Sequence, residues 1–287
     1  MIGSKSGGDR LVRPLSQILE NGRFPVSGTA ELFDIKGKSA LITGATGALG
    51  SAAAKALAGA GARLTIAGGN AKELAQLENE LKKGGAETVA VTLRPSTLEN
   101  TDAMVEAAVK AFGGLDFVLA ASGMNFVSPI VDMPPERFDE VMDANVRGTW
   151  LLCKSAGRQL LKQGKGGSVV LVSSTRGRLG HPAGYTAYCP SKAAIDLLAK
   201  SLAAEWGPKG IRVNVIAPTV FRSNLTAWMY ADDEKGRATR TAMLSRIPLG
   251  RLAEPDDLVG PVLFFFSQAS RFCTGQVLYL DGGYTAC

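Results

Sequence analysis

Histidine is almost missing from this sequence of 287 residues, which contains only His181. A metal site built on histidine needs several such ligands, so the composition predicts that no metal is bound. The four cysteines are widely spaced and form no C-x-x-C pattern, which argues against the common zinc and redox motifs. We therefore expect free thiols in a reducing compartment, the cytoplasm.

Long apolar runs and clusters of one charge are missing as well. No stretch approaches the roughly 18 apolar residues that a membrane-spanning helix needs, and no apolar segment after Met1 indicates a secretion signal. The net charge is +6, but the lysines and arginines are scattered along the chain. The sequence therefore predicts no binding to membranes or nucleic acid, and at most a mild preference for anionic ligands.

Short apolar runs alternate with alanine-rich or amphipathic segments between residues 39 and 280. The former predict buried strands and the latter predict helices. This alternation predicts an α/β fold, a Rossmann-like doubly wound parallel sheet with helices on both faces. We expect a single domain over residues 37–287, in which residues 219–247 are irregular. The N-terminal extension, residues 1–36, is expected to be partly disordered, with a short helix that packs on its own domain rather than on a partner.

A glycine-rich turn follows the first predicted strand, at Gly44, Gly47 and Gly50, with Thr46 and Leu49 between them. Glycines let the backbone approach a pyrophosphate closely, and the next helix directs its N–H groups and positive dipole at it. The alternative is a tight structural turn without a ligand. In a doubly wound sheet the ligand crevice lies outside the carboxyl ends of the strands.

A tyrosine and a lysine four residues apart lie in the segment Ala187-Tyr188-Cys189-Pro190-Ser191-Lys192, which leads into a predicted helix. Positions i and i+4 share one face of a helix, so the ammonium should lower the pKa of the phenol from its ordinary value of about 10. A phenol tuned in this way acts as a general acid or base. The alternative is an ordinary surface pair.

Several motifs occur together in one order, and with them the chain resembles the short-chain dehydrogenase/reductase family over about residues 32–283. The motifs are the glycine turn, Asn145-Val146-Arg147-Gly148, Ser173-Ser174, Tyr188-x-x-x-Lys192, Ile211-Arg212-Val213-Asn214 with Pro218, and Thr274-Gly275 before Asp281-Gly282-Gly283.

The resemblance implies four catalytic roles. Tyr188 exchanges a proton with the substrate oxygen, and Lys192 lowers the pKa of Tyr188 and binds the nicotinamide ribose. Ser174 polarises the substrate carbonyl, and Asn145 helps to position a water chain to the lysine. We prefer Ser174 over Thr175 because Ser173-Ser174-x-x-Gly177 matches the family's strand-end motif.

The resemblance also implies a nicotinamide cofactor on the glycine turn. Its further contacts are expected at Gly68, Gly69, Arg94, Ser122, Gly123, Tyr188, Lys192, Pro218, Phe221 and Ser223. The chain departs from the family pattern at Ala48, where a glycine is usual, at Ala120-Ala121-Ser122, which lacks the usual asparagines, at Arg94, where an aspartate is usual, and at Thr219, which follows Pro218 in place of a glycine.

The position after the second strand predicts which cofactor is preferred. An NAD-specific site places a carboxylate there to bind the ribose hydroxyls, but Gly68 and Gly69 occupy it here. Lys72 and Arg94 are the nearest basic residues that can reach a 2′-phosphate, unless both are merely solvated. We therefore expect NADP(H) to be preferred over NAD(H), with limited discrimination.

Two groups of residues are candidates for the substrate side. Arg176, Arg178 and His181 follow Ser174 and can meet an anionic or phenolic substrate, or can be solvated loop residues. The second group, Leu225, Trp228, Met229 and Tyr230, falls where the family has its substrate lid, within residues 219–247. A contact between subunits or simple packing is the alternative for this group.

These observations predict an NAD(P)(H)-dependent oxidoreductase that interconverts a ketone and a secondary alcohol on a small molecule, with cyclic and aromatic substrates included. Sugar acids, oxoacyl esters, steroids and polyphenols all remain open. Two alternatives are an enzyme of this fold that retains its cofactor for internal redox recycling or elimination, and a non-catalytic nucleotide-sensing module. The resemblance further implies a homo-oligomer, a tetramer.

Overall fold

The computed structural model describes residues 28–223 and 226–287. Most of the N-terminal extension, together with its predicted helix, therefore lies outside the described residues, as does Leu225. From residue 28 onward the chain begins with a short helix, α1, at Thr29–Leu32.

Seven strands form one sheet in which every neighbouring pair is parallel, in the order β3-β2-β1-β4-β5-β6-β7. The strands are β1 Ser39–Thr43, β2 Arg63–Ala67, β3 Thr88–Val91, β4 Phe117–Ala120, β5 Gly167–Val172, β6 Ile211–Pro218 and β7 Val277–Leu280. This order reverses between β1 and β4, as in a doubly wound Rossmann-like sheet. The predicted fold class is confirmed.

Helices connect the strands and cover both faces of the sheet. They are α2 Ala48–Gly59, α3 Ala71–Lys83, α4 Leu98–Phe112, α5 Pro135–Met142, α6 Gly148–Gln163, α7 Tyr188–Trp206, α8 Glu234–Leu244 and α9 Val259–Phe266. The segment Asp143–Arg147 joins α5 to α6 as a turn of π-helix. Residues 135–163 thus form one continuous helical segment with a widened turn at Asn145.

The central strands are apolar on both sides, because each face of a parallel sheet is covered by helices. All five residues of β1 are buried, and so are all four of β4. One core cluster packs α2, α3 and α9 on the sheet through side chains such as Leu57 and Phe265. A second cluster packs α4, α6 and α7 on the opposite face through side chains such as Met104 and Leu152.

The segment 219–247 is predicted to be irregular, but the structure shows regular elements in it. It contains a 3-10 turn at Ala227–Tyr230 and the helix α8. Asp233 caps α8, because its carboxylate accepts a hydrogen bond from the backbone of Gly236 at 2.6 Å. The Arg240 guanidinium donates a hydrogen bond to the carbonyl oxygen of Met229 at 2.7 Å, which connects α8 to the 3-10 turn. A largely polar helix of this kind lacks the apolar stripe by which helices are recognised in sequence.

The described residues contain neither a candidate membrane span nor a candidate metal cluster. Within residues 28–223 and 226–287, no helix combines the length and apolar character needed to cross a membrane. In the same parts of the chain, no three histidine, cysteine, aspartate or glutamate side chains gather in a way that could bind a metal ion.

Candidate active site

A cleft of about 600 Å³ opens at the carboxyl ends of the central strands, where the strand order reverses. Twelve of the predicted site residues line it: Thr46, Gly47, Leu49, Gly50, Ser122, Gly123, Ser174, Tyr188, Lys192, Pro218, Phe221 and Ser223. Three of the four candidate catalytic residues, Ser174, Tyr188 and Lys192, therefore share one cavity with the glycine turn. Its place agrees with the general rule for ligand sites in doubly wound sheets.

The glycine turn is packed so closely that side chains do not fit. Gly44 has a positive φ of 66°, and a Cβ there would lie 2.6 Å from the carbonyl oxygen of Ala121 at the end of β4. A Cβ on Gly50 would overlap the carbonyl of Gly44. Gly47, the N-cap of α2, supplies no side chain that caps the helix. The first N–H groups of α2 are therefore available to an anion at the cleft.

Tyr188 is the first residue of α7, and Lys192 lies one turn further on the same face. The Nζ atom of Lys192 lies 5.5 Å from the centre of the Tyr188 ring and donates a hydrogen bond to the carbonyl oxygen of Val172 at 3.0 Å. In return, the Ser173 hydroxyl donates to the carbonyl oxygen of Lys192 at 3.0 Å. These two bonds fix the first turn of α7 against the end of β5.

The pKa values of this pair differ from the prediction. Burial raises the pKa of Tyr188 to about 12, and the nearby Ser174 hydroxyl opposes part of that rise. Burial also lowers the pKa of Lys192 to about 8, although the Asp196 carboxylate works against the change. The predicted fall in the phenol pKa is therefore wrong for this structure, because the loss of hydration on burial outweighs any help from the ammonium.

Ser174 lies two residues after the end of β5 and is the N-cap of a 3-10 turn at Thr175–Gly177. Its hydroxyl accepts a hydrogen bond from the backbone of Arg176 at 3.2 Å and faces the cleft beside Tyr188. Thr175 is buried and does not line the cleft. The geometry therefore favours Ser174 over Thr175 as the residue whose hydroxyl polarises the substrate carbonyl.

Asn145 lies behind the cleft in the π-helical turn and is 1% exposed. Its side-chain oxygen accepts from the backbone N–H of Met124 at 2.8 Å, and its amide donates to the Met124 carbonyl and the Ser191 hydroxyl, both at 2.9 Å. Ser191 in turn donates to the carbonyl oxygen of Tyr188 at 2.7 Å. Asn145 thus joins the loop after β4 to the first turn of α7.

Three predicted cofactor contacts lie at the ends of β2 and β3 rather than in the lining of the cleft. A Cβ on Gly68 would lie 3.5 Å from the hydroxyl oxygen of Thr46, so this end of β2 adjoins the glycine turn. The side chain of Arg94, an exposed residue after β3, crosses Gly69 so closely that a Cβ on Gly69 would overlap its Nε. The Arg94 side chain can lie across Gly69 because a glycine has no side chain in that space.

The predicted substrate residues are dispersed. Arg176 and His181 do not line the cleft, although the positive charge of Arg176 acts to lower the pKa of Tyr188. Trp228 is 48% exposed, and its ring lies 5.2 Å from the Nζ atom of Lys235. Met229 is buried, and neither it nor Trp228 lines the cleft. The part of this segment that does reach the cleft is Phe221 and Ser223.

Sequence reasoning missed several residues that line the cleft, among them Ser51, Lys55, Asn125, Thr219 and Asp256. Ser51 and Lys55 lie on one face of α2 because they are four residues apart. Their place in the cleft could have been predicted once the helix was assigned after the glycine turn. The Lys55 ammonium lies 2.7 Å from the Glu80 carboxylate. Asp256 comes from a distant segment, so no local pattern could have assigned it to the cleft.

Comparisons with known proteins agree with this arrangement. A family model described as enoyl-(acyl carrier protein) reductase, adh_short_C2, matches residues 44–285. A protein described as an uncharacterized oxidoreductase of Mycobacterium tuberculosis is 64% identical over 255 residues, which cover 89% of this chain and 94% of that protein. An L-rhamnose 1-dehydrogenase (NAD(P)(+)) of Azotobacter vinelandii is 36% identical over 250 residues, which cover 86% and 96%.

A solved structure also matches. The gluconate 5-dehydrogenase of Burkholderia cenocepacia, crystallised in complex with NADP and tartrate, superposes with a TM-score of 0.84 at 27% identity. The match covers 90% of this chain and 99% of that chain. The similarity therefore extends over the whole fold, including every segment that lines the cleft.

Proposed function

The chain belongs to the short-chain dehydrogenase/reductase family, and we propose that it is an NAD(P)(H)-dependent oxidoreductase that interconverts a ketone and a secondary alcohol. The observation that carries the proposal is that Ser174, Tyr188 and Lys192 face the same cleft as the glycine turn. A proton donor, a hydroxyl that can polarise a carbonyl and a candidate phosphate site are thus placed together.

Tyr188 is the proton donor and acceptor of the proposed reaction. Because its pKa is raised to about 12, the phenol keeps its proton at neutral pH and can donate it to the oxygen of a ketone. Ser174, beside it, donates a hydrogen bond to the same oxygen and stabilises the negative charge that develops there. In the reverse direction Tyr188 must first lose its proton, so alcohol oxidation should become faster at alkaline pH.

Lys192 and Asn145 support Tyr188 from behind. With a pKa of about 8, the lysine is mostly an ammonium at neutral pH and favours the phenolate that remains once Tyr188 has given up its proton. Asn145 orients α7 through Ser191, whose hydroxyl bonds the carbonyl of Tyr188. Asn145 is therefore a positioning residue in this proposal.

The glycine turn fits a dinucleotide. Its backbone leaves no room for side chains at Gly44 or Gly50, and the uncapped start of α2 suits a pyrophosphate. A nicotinamide bound in this cleft would supply or accept the hydride of the reaction. Lys192 and the backbone around Gly123 are the groups that would hold its ribose; they lie close together in the cleft, because a Cβ on Gly123 would be 3.5 Å from Nζ.

We propose that NADP(H) is preferred over NAD(H) and that Arg94 is the residue responsible. No carboxylate follows β2, where Gly68 and Gly69 stand, and the Arg94 side chain crosses Gly69 at the place where a ribose 2′-phosphate is expected. An arginine can bind a phosphate through several parallel hydrogen bonds, whereas Gly69 offers no side chain to bind a 2′-hydroxyl. Lys72 remains the second candidate.

For the substrate we propose a small polyhydroxylated molecule. The L-rhamnose 1-dehydrogenase and the gluconate 5-dehydrogenase are named for a sugar and a sugar acid, and both match the chain over nearly its whole fold. The polar groups that the cleft offers, such as Ser122, Asn125 and Ser173, suit hydroxyl groups.

We also propose that the enzyme is a homotetramer in the cytoplasm. Phe138, Trp150 and Leu197 are between 41% and 63% exposed on α5, α6 and α7. Exposed large apolar side chains on neighbouring helices are typical of surfaces that pair with a second subunit.

Replacing Tyr188 by phenylalanine tests the function directly. Activity should be followed by NAD(P)H absorbance over a panel of sugars, alditols and sugar acids. Tyr188→Phe should lose the ~10²–10⁴-fold that a general acid contributes while it stays folded. The matched control is Tyr185→Phe, because the Tyr185 ring lies 6.0 Å from that of Tyr188 but does not line the cleft. Turnover near that of the native enzyme in Tyr188→Phe would contradict the mechanism. A separate measurement is the cofactor content of the purified protein, because a cofactor retained through purification would favour internal recycling.

A further inference from the structure

Two arginines from distant parts of the chain meet on one buried aromatic ring. The guanidinium carbon of Arg246 lies 4.2 Å from the centre of the Tyr284 ring, and that of Arg176 lies 5.6 Å from it. Tyr284 is only 1% exposed. Arg176 also donates hydrogen bonds to the Tyr284 hydroxyl at 3.2 Å and to the carbonyl oxygen of Gly180 at 3.0 Å. Both cations therefore contact the same ring, and Arg176 is anchored there by its hydrogen bonds.

No acidic group balances this pair within the described residues. Neither Arg176 nor Arg246 takes part in any of the ion pairs formed among these residues. His181 lies within the field of both, since burial and then the charges of Arg176 and Arg246 lower its pKa. The face of a tyrosine ring attracts each cation, but the cations repel one another. Such a cluster is complemented best by an anion.

One arginine of the pair, Arg176, adjoins the proposed catalytic residues. The backbone of Arg176 donates to the Ser174 hydroxyl at 3.2 Å, and its charge acts on the pKa of Tyr188. The rings of His181, Tyr185 and Tyr188 also form a chain, with centres 4.3 Å and 6.0 Å apart. An anion bound by the Arg176 guanidinium would therefore lie beside the loop that carries Ser174 and leads to Tyr188.

We propose that Arg176 and Arg246 bind the carboxylate of the substrate, which is accordingly a hydroxy acid of the sugar-acid type rather than a neutral polyol. Arg176 supplies an anchored fork of donors, and Arg246 supplies a second charge from the exposed segment after α8. The inference rests on the proposed oxidoreductase function, because it assigns the substrate of that same site. It adds Arg246 and Tyr284, neither of which has a place in the hydride chemistry.

Matched substrate pairs test the proposal. D-gluconate and D-glucitol differ only at C1, where one has a carboxylate and the other a hydroxymethyl group, and D-xylonate with xylitol forms a second such pair. The native enzyme with saturating NADP⁺ should show kcat/KM for each aldonate about 10-fold or more above that for its alditol. Added salt should weaken this preference, since ions screen exposed charges.

Arg246→Gln is the informative variant, because Arg246 is exposed and its loss should not unfold the protein. It should raise KM for the aldonates about 10-fold, leave kcat nearly unchanged and leave the alditols unaffected. Arg246→Lys should restore part of the loss. The matched control is Arg178→Gln: this arginine is in the same loop as Arg176 but faces the Tyr279 ring at 5.5 Å, and it should behave as the native enzyme does.

A binding measurement separates this inference from the oxidoreductase proposal. Calorimetric titration of D-gluconate into protein with NADP⁺ should show about 10-fold weaker binding in Arg246→Gln than in Arg178→Gln, whether or not turnover is observed. Alditols oxidised as well as aldonates, or equal losses for both in Arg246→Gln, would overturn the carboxylate site while leaving the oxidoreductase intact. Gluconate binding that is unaffected by Arg246→Gln would also overturn it. Binding of D-gluconate without turnover of any aldonate or alditol would instead contradict the oxidoreductase proposal.

Discussion

Replacing Arg94 by glutamine should change the choice of cofactor without changing the catalytic machinery. The side chain of Arg94 crosses Gly69 at the end of β2, outside the lining of the cleft that contains Tyr188 and Lys192. Arg94 is exposed, so glutamine should be accommodated with little effect on stability. The substitution removes the positive charge and the planar fork of donors but retains a shorter polar side chain.

The expected magnitude follows from the exposure of Arg94. A hydrogen bond to a charged group contributes about 1.5–3 kcal/mol when it is shielded from solvent, whereas an exposed ion pair contributes about 0.2–1 kcal/mol. A guanidinium that meets a phosphate at the rim of a cleft falls between these ranges, at about 1.4 kcal/mol, which corresponds to tenfold in affinity. Arg94→Gln should therefore weaken NADP⁺ binding about tenfold and leave NAD⁺ binding unchanged.

The assay is a titration of NADP⁺ and NAD⁺ into the native protein and the variant at two salt concentrations. The advantage of NADP⁺ should shrink at high salt in the native protein and should be nearly independent of salt in Arg94→Gln. Lys72→Gln is the matched control, because Lys72 is the other exposed basic residue near this end of the sheet. Unchanged NADP⁺ affinity in Arg94→Gln would refute the assignment, and a loss confined to Lys72→Gln would transfer the role to that lysine.

Three further predictions concern the catalytic pair, the core and the assembly. Lys192→Ala should lower kcat by about 10²-fold and shift the pH optimum upward, because no ammonium then favours the phenolate; an unchanged pH profile would contradict this role. Gly157→Ala should lower the melting temperature by ~2–8 °C, because its Cβ would lie 2.5 Å from the Trp206 ring and overpacking costs about 1–3 kcal/mol; an unaltered melting curve would show that Trp206 shifts freely. Light scattering at micromolar concentration should give the mass of four chains, and the mass of one chain would rule out the tetramer.

The places where the structure corrected the predictions have a common physical cause. The pKa of Tyr188 was expected to fall because Lys192 lies one helical turn away, a local relation that any helix preserves. Its rise to about 12 comes from burial, which depends on everything packed around the ring. Met229 is expected in a substrate lid by its position in the chain; its side chain is buried and does not line the cleft, and its contact with a substrate stays a prediction.

Local patterns in the sequence determined the architecture and the centre of the site. The alternation of strands and helices specified a doubly wound sheet, and the glycine turn, Ser174, Tyr188 and Lys192 could be placed at its carboxyl edge because each lies at a fixed offset from a strand or helix end. Only the tertiary structure decided that Arg94 crosses Gly69 and that Arg176 and Arg246 meet on Tyr284. Those groups come from segments far apart in the chain, and their distances are set by how helices and loops pack on the sheet, which no local spacing encodes.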